Sequence, residues 1–463
     1  MFTVEKIGGT SMSHFERCLN NIIKRNRTKE IMYNRIFVVS AYNNVTNWLL
    51  EHKKTGEPGI YTYFLNNEEY EIALDTFYKR LLNINQSLES IGLNLTEANN
   101  FIKYRIKQAK IYLSSMHQVI ASGYVEKINI YLAAREILAS LGEAHSAWNS
   151  VNILNNNSIN ATFIDLCGFD DNEFLTIEER VHKAFEGIDF SKTLCIATGY
   201  TKGVEGIMRV FDRGYSEVTF SKIAVAVKAD EAIIHKEYHL SSADPNIVGV
   251  NKSIPVGRTN YIIADQLADL GMEALHPRAA KPLELAGIKI RIKNTFEPDH
   301  PGTIISNDYI SPNPKIEIVS GTDKVIAFEV HDPLMVGEAG YDLRVMQIMK
   351  EHNISYILKS TNANSITIVV WDKPSTYIML KEMEKQVYQL TIRPVAIVCA
   401  MGTNIAHPGF LYKGAKALSD QNINIECFGQ SLMQVNMQFV IPRNQYAEAV
   451  KALNMALCLN KND

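Results

Sequence analysis

Val4-Glu5-Lys6-Ile7-Gly8-Gly9-Thr10-Ser11 opens the chain with a short β-branched run, a lysine near its end, and a double-glycine turn into two hydroxyls. A run of this kind reads as a strand, and the glycines let the backbone turn sharply after it. Backbone N–H groups in such a turn can approach phosphate oxygens while Lys6 supplies positive charge. Phosphoryl transfer depends on charge stabilisation and alignment more than on covalent chemistry, so a lysine fixed at a strand end suits it. Taken alone, the stretch reads more readily as an ordinary tight turn beside a solvated lysine.

The same texture continues outward. Arg35-Ile36-Phe37-Val38-Val39-Ser40, Thr193 to Thr198, Ala232-Ile233-Ile234-His235 and Ile288-Lys289-Ile290-Arg291-Ile292 are short runs separated by helical patterns. Their alternation predicts βαβ units and an α/β domain whose mostly parallel sheet is covered on both faces, a three-layer αβα arrangement. Residues 60–128 interrupt the rhythm with Tyr, Leu and Ile at helical spacing, and read as a helical insertion beside the sheet.

Between residues 296 and 316 the composition changes. Phe296-Glu297-Pro298-Asp299-His300-Pro301-Gly302 and Ser311-Pro312-Asn313-Pro314 mark a linker. Beyond it one pattern occurs twice. The first copy runs from a strand at Val325–Val330 through a helix near 341–352 to strands near 354–359 and 365–370. The second runs from a strand at Val395–Ala400 through a helix at 409–421, which Pro408 is placed to start, to strands near 423–428 and 434–441. A last helix reaches about 456. Leu411, Ala415 and Leu418 share one face of the helix at 409–421. A βαββαβ repeat of this kind predicts two α+β domains. The expected division is a catalytic domain at 1–307 and two smaller domains at 308–390 and 391–463.

Composition excludes several classes. The 463 residues are too many for one core, and 46% hydrophobic with 21% charged residues is ordinary for a globular protein. A formal charge of −3, with no basic stripe interleaved with aromatics, argues against a nucleic-acid partner. The run Lys24-Arg25-Asn26-Arg27-Thr28-Lys29 reads as a solvated helix end. Six scattered cysteines, none at CxxC spacing, suggest no metal site and fit a reducing compartment. Glu5 and Lys6 interrupt the first apolar stretch, and no run of about 18 apolar residues exists to span a bilayer. A cytoplasmic protein with no membrane partner is the expectation.

Three further windows carry chemistry. Val38-Val39-Ser40-Ala41-Tyr42-Asn43-Asn44-Val45-Thr46-Asn47 places hydroxyls and amides directly after a buried strand, where open α/β sheets hold ligands. In Leu138-Ala139-Ser140-Leu141-Gly142-Glu143-Ala144-His145-Ser146 a carboxylate follows a glycine within a helical pattern. Glu143 there is either a partner for a substrate ammonium or a surface glutamate. In Phe211-Asp212-Arg213-Gly214-Tyr215-Ser216-Glu217, Arg213 offers a fork for a carboxylate or closes a structural turn with an aspartate.

Together, in this order, these windows resemble the aspartokinases of the amino-acid kinase family along essentially the whole chain. The family's Lys-x-Gly-Gly-Thr-Ser stands at 6–11, its Val-Ser-Ala…Val-Thr-Asn at 39–47, its Ser-x-Gly-Glu at 140–143 and its Arg-Gly-x-Ser-acid loop at 213–217. Ser-Ala-Asp-Pro at 242–245, Leu-His-Pro-Arg at 275–278 and Arg-x-Lys-Asn-Thr-Phe-x-Pro…Pro-Gly-Thr at 291–303 complete the half. The C-terminal repeat resembles that family's paired ACT domains, on Met401-Gly402…Pro408-Gly409 and Ile423-Asn424-Ile425.

The resemblance implies an aspartate kinase. ATP, with Mg²⁺ bridging its phosphates and no dedicated protein cage for the metal, phosphorylates the β-carboxylate of L-aspartate to 4-phospho-L-aspartate. That is the first step toward lysine, threonine and methionine, or toward ectoine. It assigns Lys6 to the transferring phosphoryl group and Glu217 to organising Lys6. Ser40, Thr46, Glu143, Tyr200 and Arg213 hold aspartate, Arg213 by the α-carboxylate and Glu143 by the ammonium. Gly8, Gly9, Ser11, Lys236, Ser242 and Asp244 face the nucleotide phosphates. Met335, Gly340 and Tyr341 mark an amino-acid effector site, and pairing of ACT domains implies a homodimer or higher homo-oligomer. By the same resemblance the strand near Lys315–Val319 pairs into the second ACT unit.

The nucleotide side departs from the family. Its Gly-Arg-Gly-Gly-Ser-Asp loop is Asp212-Arg213-Gly214-Tyr215-Ser216-Glu217 here, its Trp-Thr-Asp is His235-Lys236-Glu237, and its Gly-Ala-Lys is Gly271-Met272-Glu273. Glu273 reverses a charge that neutralises phosphates, which calls for another cation, Lys236 or Lys202. Asn43-Asn44 replaces a Gly-Gly pair, which Asn tolerates in the left-handed region. These changes resemble the aspartokinase branch associated with ectoine gene clusters. A rival reading, a weak homologue acting as an ACT-domain amino-acid sensor, draws on Glu273; retained Lys6, Glu143 and Arg213 oppose it. Kinase activity on glutamate or N-acetylglutamate is disfavoured by the ACT pair and by Glu143. A Thr361-Asn362-Ala363-Asn364-Ser365 segment, where the family often has Ser-Glu, predicts weak or altered feedback by lysine and threonine.

Overall fold

The β-branched runs form the strands expected of them. A computed structural model of the chain describes residues 1–28, 32–53, 55–211, 214–270 and 277–459, and the chain divides into two compact units. The first comprises Met1–His239 and His276–Ile304, the second Leu240–Leu275 and Ile305–Asp463. The stretch 240–275, placed by sequence with the catalytic half, thus clusters with the C-terminal unit.

In the first unit six parallel strands lie side by side: β1 (Thr3–Ile7), β2 (Arg35–Val39), β3 (Ala161–Ile164), β4 (Leu194–Thr198), β5 (Glu231–Lys236) and β6 (Lys289–Asn294), in the order β3-β4-β2-β1-β5-β6. β1 sits centrally, Lys6 opposite Val38 on one side and Ile234 on the other. Full burial of β2 and β4 explains their unbroken apolar runs. β3 has no such run: Thr162 and Phe163 face outward or are half-buried.

The insertion folds as helices Ile60–Leu65, Tyr70–Leu88 and Leu95–Ser122, followed by Lys127–Asn156. Leu74, Phe77, Leu81, Ile102, Ile106 and Leu113 recur at helical spacing and join Leu138 and Leu141 in one core. Asn94 caps the second long helix by accepting from the Glu97 N–H. Among the described residues no helix is long and apolar enough to cross a membrane.

In the second unit an antiparallel sheet runs β8-β9-β7-β10-β12-β11, from β7 (Ile318–His331), β8 (Tyr356–Thr361), β9 (Ser365–Trp371), β10 (Gln389–Met401), β11 (Cys427–Gly429) and β12 (Asn436–Pro442). Two half-cores lie under it. Phe328, Ile366 and Ile368 pack with helices Tyr341–Glu351 and Pro374–Met383; Val398, Phe439 and Ile441 pack with Phe410–Ser419 and Tyr446–Asn454. β7 is one long strand that serves both halves. Its start, Ile318–Thr322, pairs with Ile397–Met401, and its end, Val325–His331, pairs with Ser365–Trp371.

Three local expectations need correction. The strand expected at 423–428 is confined to Cys427–Gly429, because Asn422 adopts a left-handed conformation, the Ile423 N–H closes the preceding helix on Leu418, and Ile423 itself is buried as a core anchor. Pro408 does not start the helix; Gly409 caps it and Phe410 begins it, which leaves Leu411 exposed while Gly414 and Leu418 are buried. Within the linker, Thr303–Ser306 is a strand.

Candidate active site

Lys6 occupies the penultimate position of β1, where its ammonium lies 3.0 Å from Glu217 Oε1. Glu217 stands in the first turn of helix Tyr215–Ala226, a position that favours a carboxylate because the free N–H groups there carry partial positive charge. Lys236, the last residue of β5, brings its ammonium to 4.0 Å from the same Glu217 oxygen. Two cations thus flank one carboxylate where the strands end.

The turn after β1 is tight for a geometric reason. A side-chain carbon on Gly9 would come within 2.7 Å of the Ala41 carbonyl oxygen, so only glycine lets this turn lie against the loop after β2. Gly8 accepts Met12 N–H and donates to His235 across the strand ends. Ser11 spends both its N–H and its hydroxyl on Glu237 Oε1, each at 3.0 Å, and its hydroxyl also meets Thr295 Oγ1.

The second cluster is built from helix Lys127–Asn156. Gly142 lets that helix approach the loop after β2: an added carbon would meet Ala41 Cβ at 2.7 Å and Val45 Cγ1 at 2.9 Å. The approach buries Glu143. Its Oε1 accepts from Tyr215 Oη at 2.8 Å and from Ser216 Oγ at 3.5 Å, while its Oε2 is buried with no hydrogen-bond partner among the described residues. Burial raises the Glu143 carboxyl to about 7, against the opposing pull of the Tyr215 hydrogen bond. Two residues on, His145 is buried against Asn85 at 2.7 Å, and burial lowers it to about 3, so it is a neutral link between this helix and the insertion.

Thr46, in helix Val45–Leu49, lies beside Tyr215. Tyr200 packs edge-on against Tyr215 with centroids 5.9 Å apart, its hydroxyl donating to Glu136 at 2.7 Å. The Ser40 carbonyl accepts from Ser146 Oγ at 2.9 Å, one turn beyond Glu143. Asn44 takes the left-handed conformation expected of it. Thr46, Glu143 and Tyr200 are therefore brought around Tyr215, Ser40 meets the Glu143 helix through its carbonyl, and Glu217, two residues after Tyr215 on the same helix, reaches Lys6. Arg213, Asp212 and Glu273 lie outside the described residues.

Other candidates stand elsewhere. Ser242 and Asp244 belong to the second unit, where Ser242 Oγ donates to Asn454 Oδ1 at 3.0 Å and Asp244 caps helix Pro245–Val248. Lys202 is committed to the loop after β3, donating to the carbonyls of Gly168 and Asp171, and so is not placed as a phosphate cation. In the second unit Met335 is buried, Gly340 caps helix Tyr341–Glu351, and the Tyr341 hydroxyl donates to Asp332 at 2.8 Å. Among the described residues no group of three or more His, Cys, Asp or Glu is arranged to hold a metal.

Sequence reasoning missed three groups. Tyr215 stood out only as a bulky substitute for glycine. Glu136 fixes Tyr200 and accepts the N–H groups of Met208 and Arg209, so it caps the first turn of helix Ile207–Phe211. On the opposite face of the strands, Glu5 is buried between Arg35 at 2.7 Å and His235 at 2.7 Å. A buried Glu in a strand with an Arg and a His in neighbouring strands was the available signal.

The chain is similar to known proteins in both sequence and fold. The profile of the amino acid kinase family matches residues 1–294, and an ACT domain profile matches residues 398–457. The aspartate kinase Ask_Ect of Stutzerimonas stutzeri strain A1501 is 46% identical, covering 100% of this chain and 98% of its own. A bifunctional aspartokinase/homoserine dehydrogenase of Haemophilus influenzae is 26% identical over 99% of this chain but 57% of its own. In fold, the chain resembles the aspartate kinase of Clostridium acetobutylicum (TM-score 0.76, 21% identity, 98% and 100% covered). It also resembles E. coli aspartokinase III, solved in complex with aspartate and ADP (TM-score 0.72, 19% identity, 99% and 100% covered). The chain belongs to the amino acid kinase family, among its aspartate kinases.

Proposed function

We propose that the protein transfers the γ-phosphoryl group of ATP to the β-carboxylate of L-aspartate, giving 4-phospho-L-aspartate and ADP, at the entry to aspartate-family amino acid or ectoine biosynthesis. The observation that carries this reading is the first turn of helix Tyr215–Ala226. Tyr215 there binds Glu143, whose second oxygen is buried and unpartnered among the described residues, and Glu217 binds Lys6. One helical turn thus ties an acceptor for a substrate ammonium to a cation for a phosphoryl group.

In this reading the ammonium of aspartate meets Glu143 Oε2 and Arg213 takes the α-carboxylate. A β-carboxylate oxygen then bonds to the γ-phosphorus as the β–γ bridging oxygen departs with ADP. Lys6 stabilises charge on the phosphoryl oxygens, and Glu217 holds it in place. Lys236 and the Gly8-Gly9 turn supply further positive charge and N–H groups to the phosphates. Carboxylates of Glu217 and Glu237 with hydroxyls of Ser11 and Thr295 are hard oxygen donors that suit Mg²⁺, which when bound neutralises phosphate charge. An effector amino acid at Met335, Gly340 and Tyr341, and self-association through the second unit, belong to the same proposal. Exposed Leu334, Val336 and Leu343 beside that loop support an interface there.

The test is a coupled ADP-release assay on the pure protein with ATP and Mg²⁺. ADP formation that requires aspartate is expected. ADP release indifferent to aspartate, in folded protein, refutes the proposal.

A further inference from the structure

We infer that Tyr215 is a positioning and specificity residue, which occupies one oxygen of Glu143 so that the other is the single acceptor offered to the substrate's primary ammonium. The inference rests on the functional reading above and deepens it.

Four observations support it. The Tyr215 hydroxyl donates to Glu143 Oε1 at 2.8 Å, and Tyr215 is itself buried. Glu143 Oε2 is buried and without a partner among the described residues. Tyr215 cannot swing away easily, because it is buried and Tyr200 packs edge-on against its ring. Gly214 caps the helix with φ of 116°, which aims the following side chain inward from the first helical position. A buried carboxylate oxygen left unpaired carries a desolvation cost, and a ligand ammonium recovers it. With Oε1 occupied, the site offers one directional acceptor. It therefore selects free α-amino acids over N-acylated ones, whose neutral amide brings no charge to a desolvated carboxylate.

The groups facing Glu143 are few among the described residues. Tyr215 and Ser216 face it from helix Tyr215–Ala226, the Ala41 backbone from the loop after β2, and Cys167 from the loop after β3. The Cys167 thiol is kept protonated by burial. Glu143 titrates near neutrality, and the Tyr215 hydrogen bond favours its charged form. Removing that bond moves the titration upward, so less carboxylate is present at pH 7.

The experiment compares the full-length wild type with Tyr215→Phe, which keeps the ring and removes the hydroxyl. Loss of a hydrogen bond to a charged group predicts an increase of about 10-fold or more in KM for aspartate, with KM for ATP unchanged. The acid limb of the kcat/KM profile for aspartate shifts to higher pH. Calorimetric titration with aspartate at pH 6, 7 and 8 gives a second readout independent of turnover, and a thermal melt reports folding. An unchanged aspartate KM and an unmoved acid limb in Tyr215→Phe overturn the inference while leaving the functional reading intact. A wild type that neither binds nor turns over aspartate overturns both.

Discussion

Glu143 and His145 lie two residues apart on one buried helix, and their shifted titrations act on stability in opposite senses. The Glu143 carboxyl is raised from 4.5 to about 7, and the His145 ring is lowered from 6.5 to about 3. Between pH 4.5 and 6.5 the folded state holds a proton on Glu143 that the unfolded state gives up, so this group stabilises less as pH rises. In the same window the unfolded state binds a proton at His145 that the folded state refuses, so that contribution grows with pH. Integrating each over the window gives changes of about 2 kcal/mol, opposite in sign. In the wild type they largely cancel. His145→Asn removes the rising contribution and should lose about 2 kcal/mol relative to wild type between pH 4.5 and 6.5, whereas Glu143→Gln should gain about the same amount. The double variant should run parallel to wild type. Urea unfolding of all four proteins at half-unit pH steps, compared as differences so that other titrating groups drop out, measures this directly. A constant offset from a lost Asn85 hydrogen bond is compatible with the reasoning; single-variant curves parallel to wild type across the window refute it.

Other outcomes follow from the same geometry. Gly142→Ala adds a carbon 2.7 Å from Ala41 Cβ, and the overpacking, costing about 1–3 kcal/mol, outweighs the roughly 1 kcal/mol gained in helix propensity. A lower melting temperature and a raised aspartate KM are expected, and a more stable, equally active variant contradicts the close approach. Lys6→Met should lower kcat about 10²- to 10³-fold with little change in aspartate KM, as steady-state kinetics will show; an unchanged kcat removes Lys6 from the chemistry. Burial raises the Glu5 carboxyl, but Arg35 and His235 together hold it far below its ordinary value, so its contribution persists through neutral pH and fails only in strong acid. Glu5→Gln should cost about 3–5 kcal/mol in urea unfolding at pH 7, and a smaller loss than about 1 kcal/mol argues against the ion cluster. Lysine and threonine should inhibit weakly or in an altered way, because Asn362 spends its side-chain oxygen on the Asn364 and Ser365 N–H groups of its own turn; strong inhibition by either at sub-millimolar concentration refutes this.

The order in which features became legible follows from their physics. Strands β2, β4 and β5 were readable because a parallel sheet covered on both faces favours apolar runs, β1 through its β-branched residues, and β6 because its isoleucines alternate with Lys289, Arg291 and Lys293 as its burial does. β3, with two of its four side chains turned outward or half-buried, carries no such demand. Long helices of the insertion announced themselves through apolar spacing, and the Gly8-Gly9 pair through the sharp turn it permits. What sequence could not convey was the partner of each polar group. Lys236 and Lys202 were equivalent candidates as residue types, yet one ends beside Glu217 and the other anchors a distant loop. Ser11 read as a phosphate ligand, but its donors meet Glu237, a residue that sequence marked only as a departure. Tyr215 is the clearest instance. Against a family loop of glycines it looked only like a bulkier residue, and that is how a one-dimensional comparison must read it. In three dimensions the same substitution places a hydroxyl on the buried carboxylate that the functional reading gives to the substrate. Departures from a family pattern at a ligand site are therefore better treated as new side chains with atoms to place than as missing old ones. Here that view turns an apparent defect into the residue that orients Glu143.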